Sequence, residues 1–146
     1  MAKTELKTSS RVQNQQPTNV LILEDEKLFA ETLKDLLESA GYRPTVTSRT
    51  ADAIAKLESI RFDCVLVDMH LNGESGERVI KHLRNNVGSL NAGTSILVIS
   101  GGLEVEIIKR IGKSINGALV KPFPMGELLQ RVGELSFVCQ AFREHA

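Results

Sequence analysis

Two hydrophobic rhythms alternate along this chain. Unbroken apolar runs occur at Val20-Leu21-Ile22-Leu23, at Cys64-Val65-Leu66-Val67, at Ile96-Leu97-Val98-Ile99 and at Ala118-Leu119-Val120. Runs this short without alternation predict strands covered on both faces. Asp63 joins the run that follows it, and the β-branched Thr45-Val46-Thr47 adds a further short strand. Between the runs, apolar residues recur every three or four positions, which predicts helices. The stripes are Phe29, Leu33, Leu36, Leu37 and Ala40; Ala53, Ile54 and Leu57; Val79, Ile80 and Leu83; Leu103, Ile107, Ile108 and Ile111; and Met125, Leu128, Leu129, Val132 and Leu135. Gly41 marks the end of the first helix, and Ser48 or Thr50 is placed to cap the second.

Strand and helix therefore alternate through five units. That order predicts an α/β fold with a doubly wound, five-stranded parallel sheet and five helices on its two faces. Residues 1–18 are polar, without period, and read as a flexible tail; residues 19–146 read as one domain. Phe137, Val138 and Phe142 extend the last helical pattern toward the C-terminus. The Ser136–Ala146 extension either packs on the domain or forms a contact surface.

Composition narrows the function classes. The 146 residues carry 18 acids and 18 Lys plus Arg, so net charge draws the chain to neither nucleic acid nor anionic membrane. No apolar stretch approaches the roughly 20 residues of a membrane span. The polar N-terminus has no signal-peptide centre. Cys64 and Cys139 are too far apart in sequence for a metal-binding pair and read as reduced thiols. A cytoplasmic protein is expected, with no nucleic acid and no membrane as partner.

The chemistry sits where the strands end. In a parallel sheet all carboxyl ends share one rim, and ligands bind outside it. Glu24 and Asp25 follow the first strand, Asp68 the third, Ser100 the fourth and Lys121 the fifth. Three gathered carboxylates repel unless a cation joins them. An all-oxygen set suits Mg²⁺, which keeps waters that substrate phosphate oxygens can replace. Asp68 can then attack phosphorus, while Lys121 neutralises the phosphoryl charge and the Ser100 hydroxyl bonds one of its oxygens. Each residue also has a plainer reading. Glu24-Asp25-Glu26 suits a helix N-terminus, Ser100 a turn, Lys121 the surface and His70 an ordinary loop.

Taken together and in this order, the motifs resemble the receiver domain of two-component response regulators. They are the acidic pair Glu24-Asp25, Asp68-Met-His-Leu-Asn-Gly-Glu-Ser-Gly76, Ile99-Ser100-Gly101 and Lys121-Pro122-Phe123. The resemblance covers about residues 19–136 and implies a CheY-like, flavodoxin-like strand order of 2-1-3-4-5. It implies Asp68 as phosphoacceptor, served by a histidine kinase or a histidine phosphotransfer protein. Asp25, Asp68 and the backbone carbonyl of His70 match direct Mg²⁺ ligands, and Glu24 matches an acid that reaches the metal through water. Ser100 and Lys121 match the switch hydroxyl and the phosphate-pairing lysine, and the Lys121–Pro122 bond is expected to be cis. No output domain follows residue 146, so a stand-alone module acting on an unknown downstream protein is expected, rather than an enzyme.

Four positions depart from the family pattern. Ala118 stands where a switch aromatic is usual, and Asn72 where proline is usual. His70 and Gly102 are uncommon at the two positions that flank the attacking water, which implies a role in the lifetime of the phosphoryl group. Two other functions remain in view. A haloacid-dehalogenase-type phosphohydrolase also uses an aspartyl nucleophile with Mg²⁺, but it needs a second aspartate where this chain has His70. A phosphorylation-independent docking domain would not require the intact set of acids, hydroxyl and lysine.

Overall fold

The computed structural model describes residues 17–86, 88–102 and 104–145. The expected tail falls outside these residues, apart from Pro17 and Thr18, and so does Leu103 of the fourth helical stripe. The elements in chain order are β1 (Asn19–Leu23), α1 (Lys27–Ser39), β2 (Arg43–Thr47), α2 (Thr50–Ser59) and β3 (Cys64–Asp68). They continue with β4 (His70–Leu71), β5 (Glu74–Ser75), α3 (Glu77–Asn85), β6 (Ser95–Ser100) and α4 (Val105–Ile111). A 3-10 turn (Gly112–Ser114), β7 (Gly117–Val120) and α5 (Met125–Glu144) complete the chain. Five strands form one parallel sheet in the order β2-β1-β3-β6-β7. With the small β4–β5 hairpin set aside, this is the expected 2-1-3-4-5.

The apolar runs split by parity, because successive strand residues point to opposite faces. Leu21, Leu23, Val65, Val67, Ile96 and Val98 meet Ala53, Leu57, Val79, Ile80, Leu83 and Ile111 from α2, α3 and α4. Val20, Ile22, Cys64, Leu66, Leu97, Ile99 and Leu119 meet Leu33, Leu37, Leu128, Val132 and Leu135 from α1 and α5. The strands β1, β3 and β6 are covered on both sides, which is why they lack polar alternation. Both thiols are buried and free, and burial pushes each of them above its ordinary pKa.

Below the sheet a polar network ties the chain together. The Asn91 side chain accepts from Phe62 N–H (2.7 Å) and donates to the Ile60 carbonyl (2.8 Å). Arg143, near the end of α5, donates to the Phe62 carbonyl (2.7 Å) and to Thr94 Oγ1 (2.9 Å), and pairs with Asp63 at 3.2 Å. The extension of the last helix is thus anchored by a buried guanidinium and by Ser136 and Cys139, not by the apolar residues that signalled it in sequence. Phe137, Val138 and Phe142 are all more than half exposed. A helix buries one stripe only, and at Cys139 that stripe already faces the core.

Two local expectations are corrected. Neither Ser48 nor Thr50 caps α2: the N-cap position is Arg49, without a side-chain cap bond, and Thr50 is already helical. The stretch after Asp68 is not a plain loop. Asp68 closes β3, and the chain then folds into the β4–β5 hairpin around Asn72-Gly73, with Gly73 at φ 79°. That positive φ favours glycine.

Gly76 begins the return into α3 directly beneath the site. A Cβ there would run into the Asp68 carbonyl oxygen and the Val67 Cγ1 methyl group, both buried. Gly76→Ala should therefore cost about 1–3 kcal/mol of stability, the usual price of overpacking. A lower urea midpoint at unchanged slope checks this, and an unshifted midpoint contradicts it.

Candidate functional site

The carboxyl ends of β1, β3, β6 and β7 bring the expected residues to one rim. Asp68 is the last residue of β3 and Ser100 the last of β6; Glu24 and Asp25 follow β1, and Lys121 follows β7. Carboxylate oxygens of Glu24, Asp25 and Asp68 lie within 4.8 Å of one another. Glu24 and Asp68 are almost fully buried, at 2% and 3% exposure. Buried charges at this density need a counter-charge.

Lys121 supplies it. Its Nζ donates to Glu24 Oε2 at 3.0 Å and to Asp68 Oδ2 at 3.2 Å. It also stands 4.5 Å above the centre of the Phe29 ring, a cation–π arrangement. The peptide bond from Lys121 to Pro122 is cis, as expected. Backbone donors meet three more of the carboxylate oxygens: Glu26 N–H to Glu24 Oε1 (3.1 Å), His70 N–H to Asp68 Oδ1 (2.9 Å) and Asn72 N–H to Asp25 Oδ2.

These contacts set the electrostatics. Burial pushes the Glu24 carboxyl up, and the charge of Asp68 adds to the rise; the bonds from Lys121 and Glu26 only partly offset it. Burial alone would pull the Lys121 ammonium down, but its bonds and charge interactions with Glu24 and Asp68 outweigh that, and it is held above its ordinary value. The signs follow from linkage. Glu24 favours the folded state only toward acid pH and loses that contribution as pH rises through its folded value. Lys121 contributes in full below its unfolded value of 10.5 and loses the contribution as pH rises through its higher folded value. At neutral pH the ammonium stabilises an acid that burial makes costly.

The hydroxyl of Ser100 and the uncommon residues His70 and Gly102 also meet. Ser100 is buried, and its Oγ donates to the Gly102 carbonyl at 3.1 Å. His70 Nε2 stands 3.1 Å from the same carbonyl, so the imidazole of the β4–β5 hairpin bridges to the chain leaving β6. Ala118 is exposed on β7. Three partners were not found by sequence reasoning: Phe29 as more than a core residue, the N–H of Asn72, and Glu74. The Asn72 contact has a sequence signal after all, because the proline usual at this position has no N–H to donate.

The donor set fits a hard divalent cation. It is all oxygen, and the three acids converge without His or Cys side chains among them. Among the described residues, no helix is long and apolar enough to cross a membrane.

Replacing Lys121 by Met removes the only cation bonded to Glu24 and Asp68 in the described contacts. In chelator-treated buffer this should cost about 1–3 kcal/mol, somewhat less than breaking a fully buried pair. Added Mg²⁺ should narrow the gap between variant and wild type, since it restores positive charge among the acids. Urea unfolding with and without Mg²⁺ measures both effects; equal midpoints in chelator contradict the assignment.

Comparison with known proteins gives a consistent result. A family model described as the response regulator receiver domain matches residues 20–133. The sensor histidine kinase AruS of Pseudomonas aeruginosa is 32% identical over 117 residues, which is 80% of this chain and 12% of that protein. The sensory transduction protein RegX3 of Mycolicibacterium smegmatis is 32% identical over 115 residues, 79% of this chain and 49% of that protein. This chain therefore spans half or less of the length of these relatives. A solved response regulator from Burkholderia pseudomallei, with a phosphorylated aspartic acid, calcium ion and citrate, has TM-score 0.72 and 26% identity, covering 86% of this chain and 72% of that one.

Proposed function

We propose that this chain, which belongs to the response regulator receiver domain family, accepts a phosphoryl group on Asp68 from a histidine kinase or a histidine phosphotransfer protein. One observation carries the reading: a buried carboxylate ends the central strand, bonded to Lys121 and converging with two further acids. The phosphorylated aspartic acid of the Burkholderia pseudomallei protein supports it, as does the match to a sensor kinase.

The residues divide the work. A carboxylate oxygen of Asp68 forms the new bond to phosphorus, and the P–N bond to the donor histidine breaks, its electron pair leaving on the imidazole. Glu24, Asp25, Asp68 and the backbone carbonyl of His70 would hold Mg²⁺, which when bound neutralises charge on the phosphoryl oxygens. Lys121 lies within hydrogen-bonding distance of Asp68 and turns from the acids to a phosphoryl oxygen. Ser100 gives up its bond to the Gly102 carbonyl to donate to another. The donor protein docks on the adjacent apolar groove of about 460 Å³, where Leu28, Phe29, Phe123 and Met125 line a wall shared with Lys121. Leu28, 72% exposed, offers the partner an apolar anchor at its rim. The module then acts on a downstream protein, and the charge of about −1.5 to −2 added at Asp68 is what biases its surface.

The phosphohydrolase reading lacks its second acid, because the position that needs an aspartate holds His70, whose ring stands against the Gly102 carbonyl. That same bridge ties the hairpin to the chain leaving β6, and through it His70 and Gly102 set the lifetime of the phosphoryl group.

Incubation with Mg²⁺ and acetyl phosphate, followed by intact-mass measurement, should add one phosphoryl group to wild type and none to Asp68→Asn. Absence of the added mass on wild type, with a histidine kinase also failing, sinks the reading. Loss of the His70 bridge should hasten dephosphorylation. A neutral hydrogen bond is worth about 0.5–1.5 kcal/mol, so His70→Ala should shorten the lifetime roughly two- to tenfold. An unchanged rate of phosphoryl loss refutes the role given to the bridge.

A further inference from the structure

The strongest unexplained contact is on the outer strand of the hairpin. Glu74 Oε1 accepts the Thr50 backbone N–H at 2.7 Å, and Glu74 Oε2 accepts the Thr50 hydroxyl at 2.9 Å. Both oxygens of one carboxylate thus close on one residue, 24 positions away, at the first turn of α2. That turn has no side-chain cap of its own. Thr50 is fully buried, so its N–H and hydroxyl have no access to water in place of Glu74. The Arg78 guanidinium reaches the same hydroxyl at 3.4 Å. These bonds hold the Glu74 carboxyl below its ordinary range, with the charges of Arg49 and Arg78 adding to the effect.

The position of Glu74 gives this cap a second consequence. In the hairpin register Glu74 lies opposite Leu71, and Ser75 lies opposite His70. The strand that carries Glu74 is therefore the one against which His70 is paired. The hairpin tip is fixed separately, by the Asn72 N–H on Asp25. One clasp joins the tip to an acid of the site; the other joins the outer strand to α2.

We infer that Glu74 is a positioning residue: its clamp on Thr50 sets where the hairpin, and so the His70 backbone, sits over the acids, and it couples occupation of the site to the first turn of α2. The inference rests on the reading of the acids as a Mg²⁺ site in a phosphoacceptor module. Cation binding draws on the hairpin backbone, and the hairpin in turn holds the cap of α2. Tightening one end tightens the other, since coupling between two sites is reciprocal.

The test uses the full chain with Glu74→Ala and Glu74→Gln. Titration calorimetry with Mg²⁺ should give a dissociation constant raised about tenfold in the alanine variant, the low end for loss of a group supporting a metal site. Glutamine, which can still accept from Thr50 N–H through its amide oxygen, should restore part of the affinity. Amide hydrogen exchange provides a second readout: Mg²⁺ should slow exchange across Ala51–Ala53 in wild type and not in Glu74→Ala. If the alanine variant does not fold, Glu74→Gln and Thr50→Val carry the same comparison. A purely structural cap predicts faster exchange in α2, independent of Mg²⁺, with unchanged Mg²⁺ affinity, and that outcome overturns the inference. Failure of the underlying reading looks different. Wild type would then bind Mg²⁺ yet take no phosphoryl group from acetyl phosphate or a kinase, and the affinity comparison would still decide the clamp. A wild type that binds no Mg²⁺ overturns both.

Discussion

A single ammonium group holds the working end of this molecule together. Parallel strands deliver Glu24, Asp25 and Asp68 to one place, and two of the three lose nearly all contact with water. Without Lys121 the end of the sheet would carry adjacent desolvated charges, an arrangement that proteins escape by protonation or by opening. The Lys121 side chain is itself partly covered and rests on the Phe29 ring, so its position is restricted to the side facing the acids. The site is in this sense held close by one cation, whose bonds to Glu24 and Asp68 partly offset the cost of burying these acids.

The same constraint explains the hairpin. A carboxylate cluster next to a free loop would have no fixed donors, whereas here Asp68 and Asp25 each receive a backbone N–H from the hairpin. The hairpin is held from outside as well, by Glu74 on Thr50 and by His70 on the Gly102 carbonyl. The acids, the hairpin, α2 and the chain after β6 therefore form one connected polar system above a sheet whose interior is largely apolar. Rigid support below and polar clasps above let the site change partners without disturbing the core.

Sequence periodicity revealed the sheet and its order because β1, β3 and β6 are buried on both faces, which demands uninterrupted apolar runs. The rim residues were legible because the topology places every strand's next residue at the same end; their spacing in sequence was irrelevant. Contacts that depend on side-chain reach were not legible. Nothing in the spacing of Glu74 and Thr50 signals that one caps the other's helix, and local capping rules pointed instead to Ser48 or Thr50 itself. Phe29 reads as a core position in its helical stripe, yet its ring also supports a charge. At the C-terminus the apolar letters Phe137, Val138 and Phe142 promised packing, while the anchor is Arg143, whose guanidinium satisfies buried carbonyl and hydroxyl groups that no apolar residue could.

Ala118 gives the polar system its wider meaning. A large ring on β7 would offer a two-position element whose burial reports on the Ser100 hydroxyl; a methyl group exposed at the sheet edge has no second position to occupy. In a phosphoacceptor of the kind proposed, a change at Asp68 would leave the site through the hairpin, whose His70 N–H donates to Asp68 and whose side chains reach other elements. The described contacts include two such routes from the hairpin. His70 leads to the Gly102 carbonyl and so to Ser100 and the approach to α4, and Glu74 leads to the first turn of α2. Both begin on the strands flanking Asn72-Gly73, within one small hairpin. Under the proposed function the hairpin is the element placed to report on the site, through the first turn of α2 on one side and the chain leading to α4 on the other.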